Sequence, residues 1–419
     1  MIDIKSVRSD WEAVADNLAR RGVARENVEQ LFQLDEAWRS LTVQVEELRA
    51  RQNEANDSIA AASADEKGEL ITKMREVSKQ LKEKESALEE IAKAREATWL
   101  KLPNIPAADV PDGGEGDYEI LREGPTKVKE RDFKIKSYLE LGEGWLFNLT
   151  EAARVSGSGF TYITGDLARL QMGMVSWVFD MLDKVGFVPV IPPVLVSERT
   201  MANMGYLDHH GEEIYHLPQD GLYLVGTSEQ SLGPMQVRKK QPASQLPKRY
   251  VGYSSCFRRE AGSHGKDVRG LLRLHQFEKI EMFSFTTPEQ SNAELEFLLK
   301  QQENIMTALE LPYRVIKLAA KDLGAPSAKT YDIETWMPGE GRYRETHSTS
   351  TTTDYQARRL NIRVQDAAGT RPLHMLNGTA LAMSRIFIAL LENHQQTDGS
   401  INLPAALHPY LPFTKIDKH

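Results

Sequence analysis

Between residues 28 and 60, apolar side chains recur in alternating steps of three and four: Leu31, Leu34, Trp38, Leu41, Val45, Leu48, Ala55 and Ile59, with Gln52 in the remaining slot. That spacing is the a/d seam of a heptad helix. The run AASADEKGE at 61–69 interrupts it, and a second seam follows through Met74, Val77, Leu81, Leu88 and Ile91, broken once by Lys84. Two such helices joined by a short turn predict an antiparallel hairpin about 45–50 Å long, at 1.5 Å per residue. It closes at LPNIPAADVPDGGEGDYE, where three prolines and clustered glycines end helical structure. The predicted organisation is therefore a helical domain over 1–105 and a second domain over 106–419.

In the second domain the pattern changes. Strand-like runs appear in FTYIT, FVPVIPPVLV, LYLVGT, RYVGYSS and RYRETHSTSTTT, while helices are predicted near 165–185, 288–308 and 379–394. Strands outnumber helices and do not alternate regularly with them. This predicts an α+β fold on a mostly antiparallel sheet.

Composition narrows the function classes. A chain of 419 residues is long enough for two domains. No apolar run approaches the ~18 residues of a membrane helix, so no membrane partner is expected. The one cysteine, Cys256, leaves no internal disulfide and suits the cytoplasm. A net charge of −8 argues against nucleic-acid binding by bulk charge, so any RNA contact must use local patches or shape. Residues 27–100 carry 11 Lys/Arg against 16 Asp/Glu. On its pattern the hairpin suits a spacer or oligomerisation device as well as an RNA arm working through Arg49, Arg51, Lys73, Arg75, Lys79 and Lys82.

Two common nucleotide signatures are missing. The stretch Gly262-Ser-His-Gly-Lys266-Asp lacks phosphate-loop spacing, and no GxGxxG follows a strand, so ATP chemistry would need another scaffold. His209 and His210 lie in a polar loop without partner spacing for a metal. The densest chemical cluster is YVGYSSCFRREAGSHGKDVRGLLRLHQFEKIEMF at 250–283. Arginines there suit phosphate, Phe277 offers an aromatic face, and Phe277, Lys279 and Glu281 share one face of a strand. On the residues alone, an Arg/Glu-rich hairpin of this kind is more often a surface ion-pair network than a site.

The cluster FRREAGSHGKDVRGLLRLHQFEKIE resembles motif 2 of the bacterial-type seryl-tRNA synthetases, a class II aminoacyl-tRNA synthetase family. GFVPVIPPVLV, within 178–196, resembles motif 1, and LNGTALAMSRIFIALLENHQ, within 375–394, resembles motif 3. YLVGTSEQ is similar to the family's serine-recognising element, and YRETHSTSTTTDYQARR to the acidic strand preceding motif 3. The hairpin ending at LPNIP, the VSGSGF stretch and the ending LPAALHPY match too, so the resemblance spans the chain.

The resemblance implies a serine–tRNA ligase that uses ATP and Mg2+ to form seryl-adenylate and charges tRNA(Ser), and tRNA(Sec) where that exists. It implies a cytoplasmic homodimer. By position, Arg258, Glu345 and Arg385 would be catalytic. Arg259, Glu260, Arg273, Leu274, Phe277, Thr346, His347 and Ser348 would join them around ATP. Thr227, Ser228, Glu229, Glu281, Asn377 and Thr379 would bind serine with Arg258, and Glu345 and Ser348 would hold the metal. The wording departs from the family at Thr227-Ser-Glu, at Thr379-Ala380 and in THSTSTTT. Two alternatives remain: a paralogue passing serine to a non-tRNA acceptor, and an inactive tRNA-binding homologue. The full hairpin counts against the first, and intact Arg258, Glu345 and Arg385 against the second.

Overall fold

The computed structural model describes residues 1–63, 66–261 and 270–417, with only the backbone described at His209 and His210. Ala64 and Asp65, inside the predicted break, and Gly262–Arg269, the predicted loop, fall outside the described residues. The chain divides into two compact units, Ile2–Ile105 and Pro106–His419, the latter with Met1.

The first unit is helical: α1 (Ile4–Ala19), α2 (Arg25–Ala61) and α3 (Lys67–Leu100). Helix α3 resumes at Lys67, so the interruption is shorter than the 61–69 expected. The α2–α3 seam packs Val45 and Leu48 against Leu81, flanked by Val77 and Leu88. Its polar slot is paired, Gln52 Nε2 donating to Ser78 Oγ at 3.1 Å. Lys84 is exposed, and the neighbouring Glu85 reaches Arg49 across the hairpin at 2.7 Å. A second, polar anchor lies at the base: Asp35 is fully buried and bonded by Arg8, Arg39 and Arg95. The Arg95 guanidinium lies 4.8 Å from the Trp38 ring centroid and 4.9 Å from that of Trp99.

The second unit is built on an eight-stranded sheet. Its strands are β1 (Glu119–Glu123), β2 (Phe187–Val190), β3 (Lys248–Phe257), β4 (Gln276–Thr286), β5 (Tyr313–Lys317), β6 (Lys329–Met337), β7 (Arg342–Thr353) and β8 (His374–Ala382). Their order is β1-β5-β6-β7-β8-β4-β3-β2. Neighbours run antiparallel except β2, which pairs parallel with β3. Helices α4 (Gly165–Asp183), α5 (Ser291–Ala308) and α6 (Met383–His394) supply Leu170, Leu298 and Phe387 to one core with Ile280, Met282 and Ile333 from the sheet. The helix expected from 379 begins only at Met383, because 379–382 complete β8 and pair with β4 across a bulge.

Alternation along β4 positions the chemistry. Ile280 and Met282 enter the helical core, so Phe277, Lys279 and Glu281 take the other face. The β4–β8 pairing shifts register between Ile280 and Glu281 and brings Glu281 opposite Thr379. Gly378 permits the close approach of β8 and β7, since a Cβ there would stand 2.4 Å from Thr349 Oγ1.

Candidate active site

Arg258 leaves the end of β3, where Phe257 pairs with Gln276 of β4. Its backbone NH donates to the His275 carbonyl at 3.0 Å, and His275 Nδ1 lies 3.0 Å from the Arg258 carbonyl oxygen. Its Nε donates to the Gly226 carbonyl at 3.2 Å, and its guanidinium stands 5.4 Å from the Phe277 ring centroid. The two arms of this hairpin therefore hold a cation over an aromatic face. Gly159 lies against the same point, with φ +82° and a hypothetical Cβ only 2.4 Å from His275. Arg273 pairs with Glu260 at 3.0 Å, while Arg259 lies 5.9 Å from the Tyr215 ring centroid. Leu274 packs into the main core.

A turn carrying Thr227, Ser228 and Glu229 lies beside Arg258, and all three residues are buried. Gln230 Oε1 accepts from the Gly226 NH at 2.8 Å and Phe257 NH donates to Val225 O at 2.8 Å, tying the turn to β3. Ser228 is turned beneath it, with Oγ 3.1 Å from where a Cβ on Gly252 would stand. On β4, Glu281 is buried and paired with Lys279 at 2.6 Å. The Thr379 hydroxyl donates to the same Glu281 oxygen at 3.4 Å. Asn377 lies on β8, opposite Phe283 of β4 and Ser350 of β7. Burial raises the Glu229 carboxyl above its ordinary range, as does Glu281, while hydrogen bonds from Gln356 and Tyr206 work the other way.

On β7 and α6, Arg385 Nη1 donates to the Glu345 backbone carbonyl at 2.8 Å and approaches its Oε1 at 3.1 Å. The Glu345 side chain remains about half exposed, at 49%. Desolvation in the cleft opposes its charge, but Arg385 overcomes this and holds the carboxyl below its ordinary range. A register shift between Ile333 and Glu334 of β6 turns the next two β7 side chains inward. Thr346 then bonds Thr335 at 2.7 Å, and His347 bridges Thr346 at 2.9 Å and the Ala380 carbonyl at 3.0 Å. Burial lowers the His347 pKa to about 4. Ser348 pairs across β6 with Asp332, a buried acid whose Oδ1 has no protein partner. From α5, Gln302 Nε2 donates to the carbonyls of Ser348 at 3.1 Å and Thr379 at 2.8 Å, bracing the strands from behind.

Several of these groups carry no sequence signal of their own. Gln356 stands within the DYQARR stretch and Lys279 on the predicted strand face, but nothing in the local sequence marks either for a role. Tyr206, Asp332 and Gln302 become visible only through tertiary contacts.

An antiparallel sheet that gathers arginines, buried carboxylates and a hydroxyl around one cleft is the arrangement of a class II aminoacyl-tRNA synthetase, to which the chain belongs. The description "tRNA synthetase class II core domain (G, H, P, S and T)" matches residues 215–394, and "Seryl-tRNA synthetase N-terminal domain" matches residues 1–106. Within the class, the chain belongs to the serine–tRNA ligase family. It is 45% identical to the serine–tRNA ligase of Acidothermus cellulolyticus over 98% of both chains. With that of Thermobifida fusca it shares 41%, over 98% of this chain and 97% of the other. Its structure superposes on seryl-tRNA synthetase from Pyrococcus horikoshii complexed with ATP, with TM-score 0.92, 36% identity and 99% coverage of both. For the cytoplasmic serine–tRNA ligase of Naegleria fowleri in complex with AMP the TM-score is 0.86, with 29% identity over 98% and 97% of the chains.

Proposed function

We propose that this chain activates serine with ATP and transfers the seryl group to serine tRNA through the residues gathered in the cleft. The observation that carries this is a buried set of polar groups, Glu229 and Glu281 with Thr379, beside the Arg258 cation. Carboxylates suit serine's ammonium, and Glu281 with Thr379 suits its hydroxyl. A site built to pair a substrate hydroxyl rejects an analogue lacking it, because its own polar groups are then left unpaired. Thr227 and Asn377 complete that pocket, and Ser228 supports its turn from beneath.

In the first step the serine carboxylate attacks the α-phosphorus. The bond from that phosphorus to the α–β bridging oxygen breaks, and pyrophosphate leaves. Arg258 lies against the α-phosphate and the serine carboxylate, offsetting the repulsion between two anions. Phe277 stacks on adenine with Glu260 and Leu274 nearby, while Arg273, Arg385 and Arg259 face the phosphate side. The side chains of Thr346 and His347 are occupied by protein partners, so their part is through the backbone. No general base is required, since the carboxylate is already ionised. In the second step the terminal ribose hydroxyl of the tRNA attacks the acyl carbonyl and AMP leaves.

The residues present fit magnesium. Glu345 and Ser348 supply hard oxygen donors, and the buried Oδ1 of Asp332, opposite Ser348, is an acceptor with no protein partner on the same wall. Among the described residues no three His, Cys, Asp or Glu side chains gather to ligate a metal by themselves, and Glu345 and Ser348 are the residues that would hold it. The metal, when bound, neutralises phosphate charge.

The protein acts as a homodimer in the cytoplasm. Edge strand β2 exposes Val188 at 54%, and Ile191 just beyond it is 81% exposed, an apolar edge suited to a second copy. The helical hairpin contacts tRNA(Ser), and tRNA(Sec) where present, by shape and backbone rather than bulk charge. No described helix is long and apolar enough to cross a membrane. The test is ATP–pyrophosphate exchange with serine, followed by charging of total tRNA. Both activities are expected, and both should vanish in Arg258→Ala. Exchange without charging would indicate a different acceptor, and no exchange would refute the reading.

A further inference from the structure

Glu229 is held at both oxygens. The Tyr206 hydroxyl donates to Oε2 at 2.8 Å, and Gln356 Nε2 donates to Oε1 at 2.8 Å. Gln356 is fully buried, and its amide is fixed in turn by the Thr352 hydroxyl, which donates to its Oε1 at 3.2 Å, and by the Met204 carbonyl at 3.3 Å. The elements carrying the two donors are cross-braced. Arg359, on the same short helix as Gln356 (Tyr355–Leu360), donates to the Ala202 carbonyl at 3.0 Å and to Asp208 at 2.7 Å, on either side of Tyr206. Gly205, at φ +87°, makes the left-handed turn that aims Tyr206 inward and lies against Tyr355.

We infer that Tyr206 and Gln356 form a two-point clamp that orients the Glu229 carboxylate toward the ammonium of the amino-acid substrate. This rests on the serine-activating function proposed above. A buried glutamate has several rotamers, and an ammonium presents donors in fixed directions. Binding one donor to each oxygen removes that freedom and still leaves lone pairs for the substrate. The donors also favour the charged form of the carboxylate, against the burial that disfavours it. The clamp is a positioning device, and neither residue touches the reacting atoms.

The experiment measures ATP–pyrophosphate exchange in the full chain, varying serine and ATP separately from pH 5.5 to 8.5. Tyr206→Phe deletes one hydroxyl. It is expected to raise KM for serine about tenfold, the scale of one charge-assisted hydrogen bond, and to leave KM for ATP unchanged. The acid limb of kcat/KM for serine should also move to higher pH, because Glu229 loses a group that lowers its pKa. The charged and titratable groups facing Glu229 are Tyr206 itself and Glu281 and Lys279 on β4, while Arg258, beyond β3, faces Tyr206. All except Tyr206 are unchanged in the variant. Gln356→Met, of similar volume, should give the same split and serves if Tyr206→Phe fails to fold. A folded variant with unchanged serine KM overturns the clamp. So does a parallel rise in both KM values with a fixed pH profile, which marks a general packing role. Absence of serine-dependent exchange in the unaltered protein would instead overturn the proposed function itself.

Discussion

Replacing Asp35 with alanine should destabilise the helical unit severely while leaving amino-acid activation intact. The carboxylate is fully buried and receives Arg8 in a bidentate pair at 2.7 and 3.0 Å, Arg39 at 3.1 Å and Arg95 at 2.7 Å. Removing one partner of a buried ion pair costs about 3–5 kcal/mol, because the opposite charge stays buried. Here the cations differ. The side chains of Arg8 and Arg39 are 32% and 45% exposed and can regain water, whereas Arg95 is only 13% exposed and lies against Trp38 and Trp99. Most of the loss therefore comes from Arg95, and about 3 kcal/mol is expected, the low end of that range. Urea denaturation of the full chain, followed by circular dichroism at 222 nm, reads the helical transition. With a slope of roughly 1–2 kcal/mol per molar, the midpoint should fall by about 2 M. Burial opposes the Asp35 charge, but Arg8 and Arg95 hold its pKa below the ordinary value. Its contribution is thus present at neutral pH and lost as pH falls through the unfolded carboxylate range near ~4 toward the lower native pKa. Serine-dependent exchange should be retained and tRNA charging should drop. A loss below about 1 kcal/mol would refute the reasoning, since it would place Asp35 among ordinary surface ion pairs.

Thr379→Val keeps the shape of the residue and removes its hydroxyl. KM for serine should rise about tenfold in the exchange assay, with KM for ATP unmoved. Gly378→Ala places a Cβ 2.4 Å from Thr349 Oγ1 and 3.3 Å from Gln302 Nε2, so a thermal melt should show about 1–3 kcal/mol of lost stability. His347 stays neutral in the folded chain down to pH about 4, whereas the unfolded side chain takes its proton near ~6.5. Stability should therefore be full above that unfolded value and fall between the two, by about 3 kcal/mol in total. Denaturation midpoints of His347→Gln should show a flatter pH dependence over the same window.

The hairpin was legible because a packed seam repeats. Positions 45, 48 and 81 had to be apolar, and the polar slots at Gln52 and Lys84 stood out as interruptions, although the Gln52–Ser78 and Arg49–Glu85 pairs across the hairpin did not. Asp35 was legible only as an i,i+4 pair with Arg39, since Arg8 and Arg95 come from the two other helices and no local spacing marks their convergence on it. In the second unit, alternation placed Phe277, Lys279 and Glu281 on one strand face. TALA suits helix locally, which predicts a start near 379, and pairing of β8 with β4 overrides that preference. The inward turn of Thr346 and His347 depends on a one-residue register shift in β6–β7, which a period of two cannot announce. Tyr206 lay in a stretch without periodic pattern and acquires meaning only through Glu229.

The central claim is that Glu229, Glu281 and Thr379 form a pocket paired to serine's ammonium and hydroxyl. The most direct measurement is ATP–pyrophosphate exchange with serine, alanine, glycine and threonine side by side at fixed ATP. The account predicts exchange with serine and kcat/KM lower by at least about 10³-fold for alanine, which leaves Glu281 and Thr379 unpaired. Alanine or threonine supporting exchange as well as serine would contradict it.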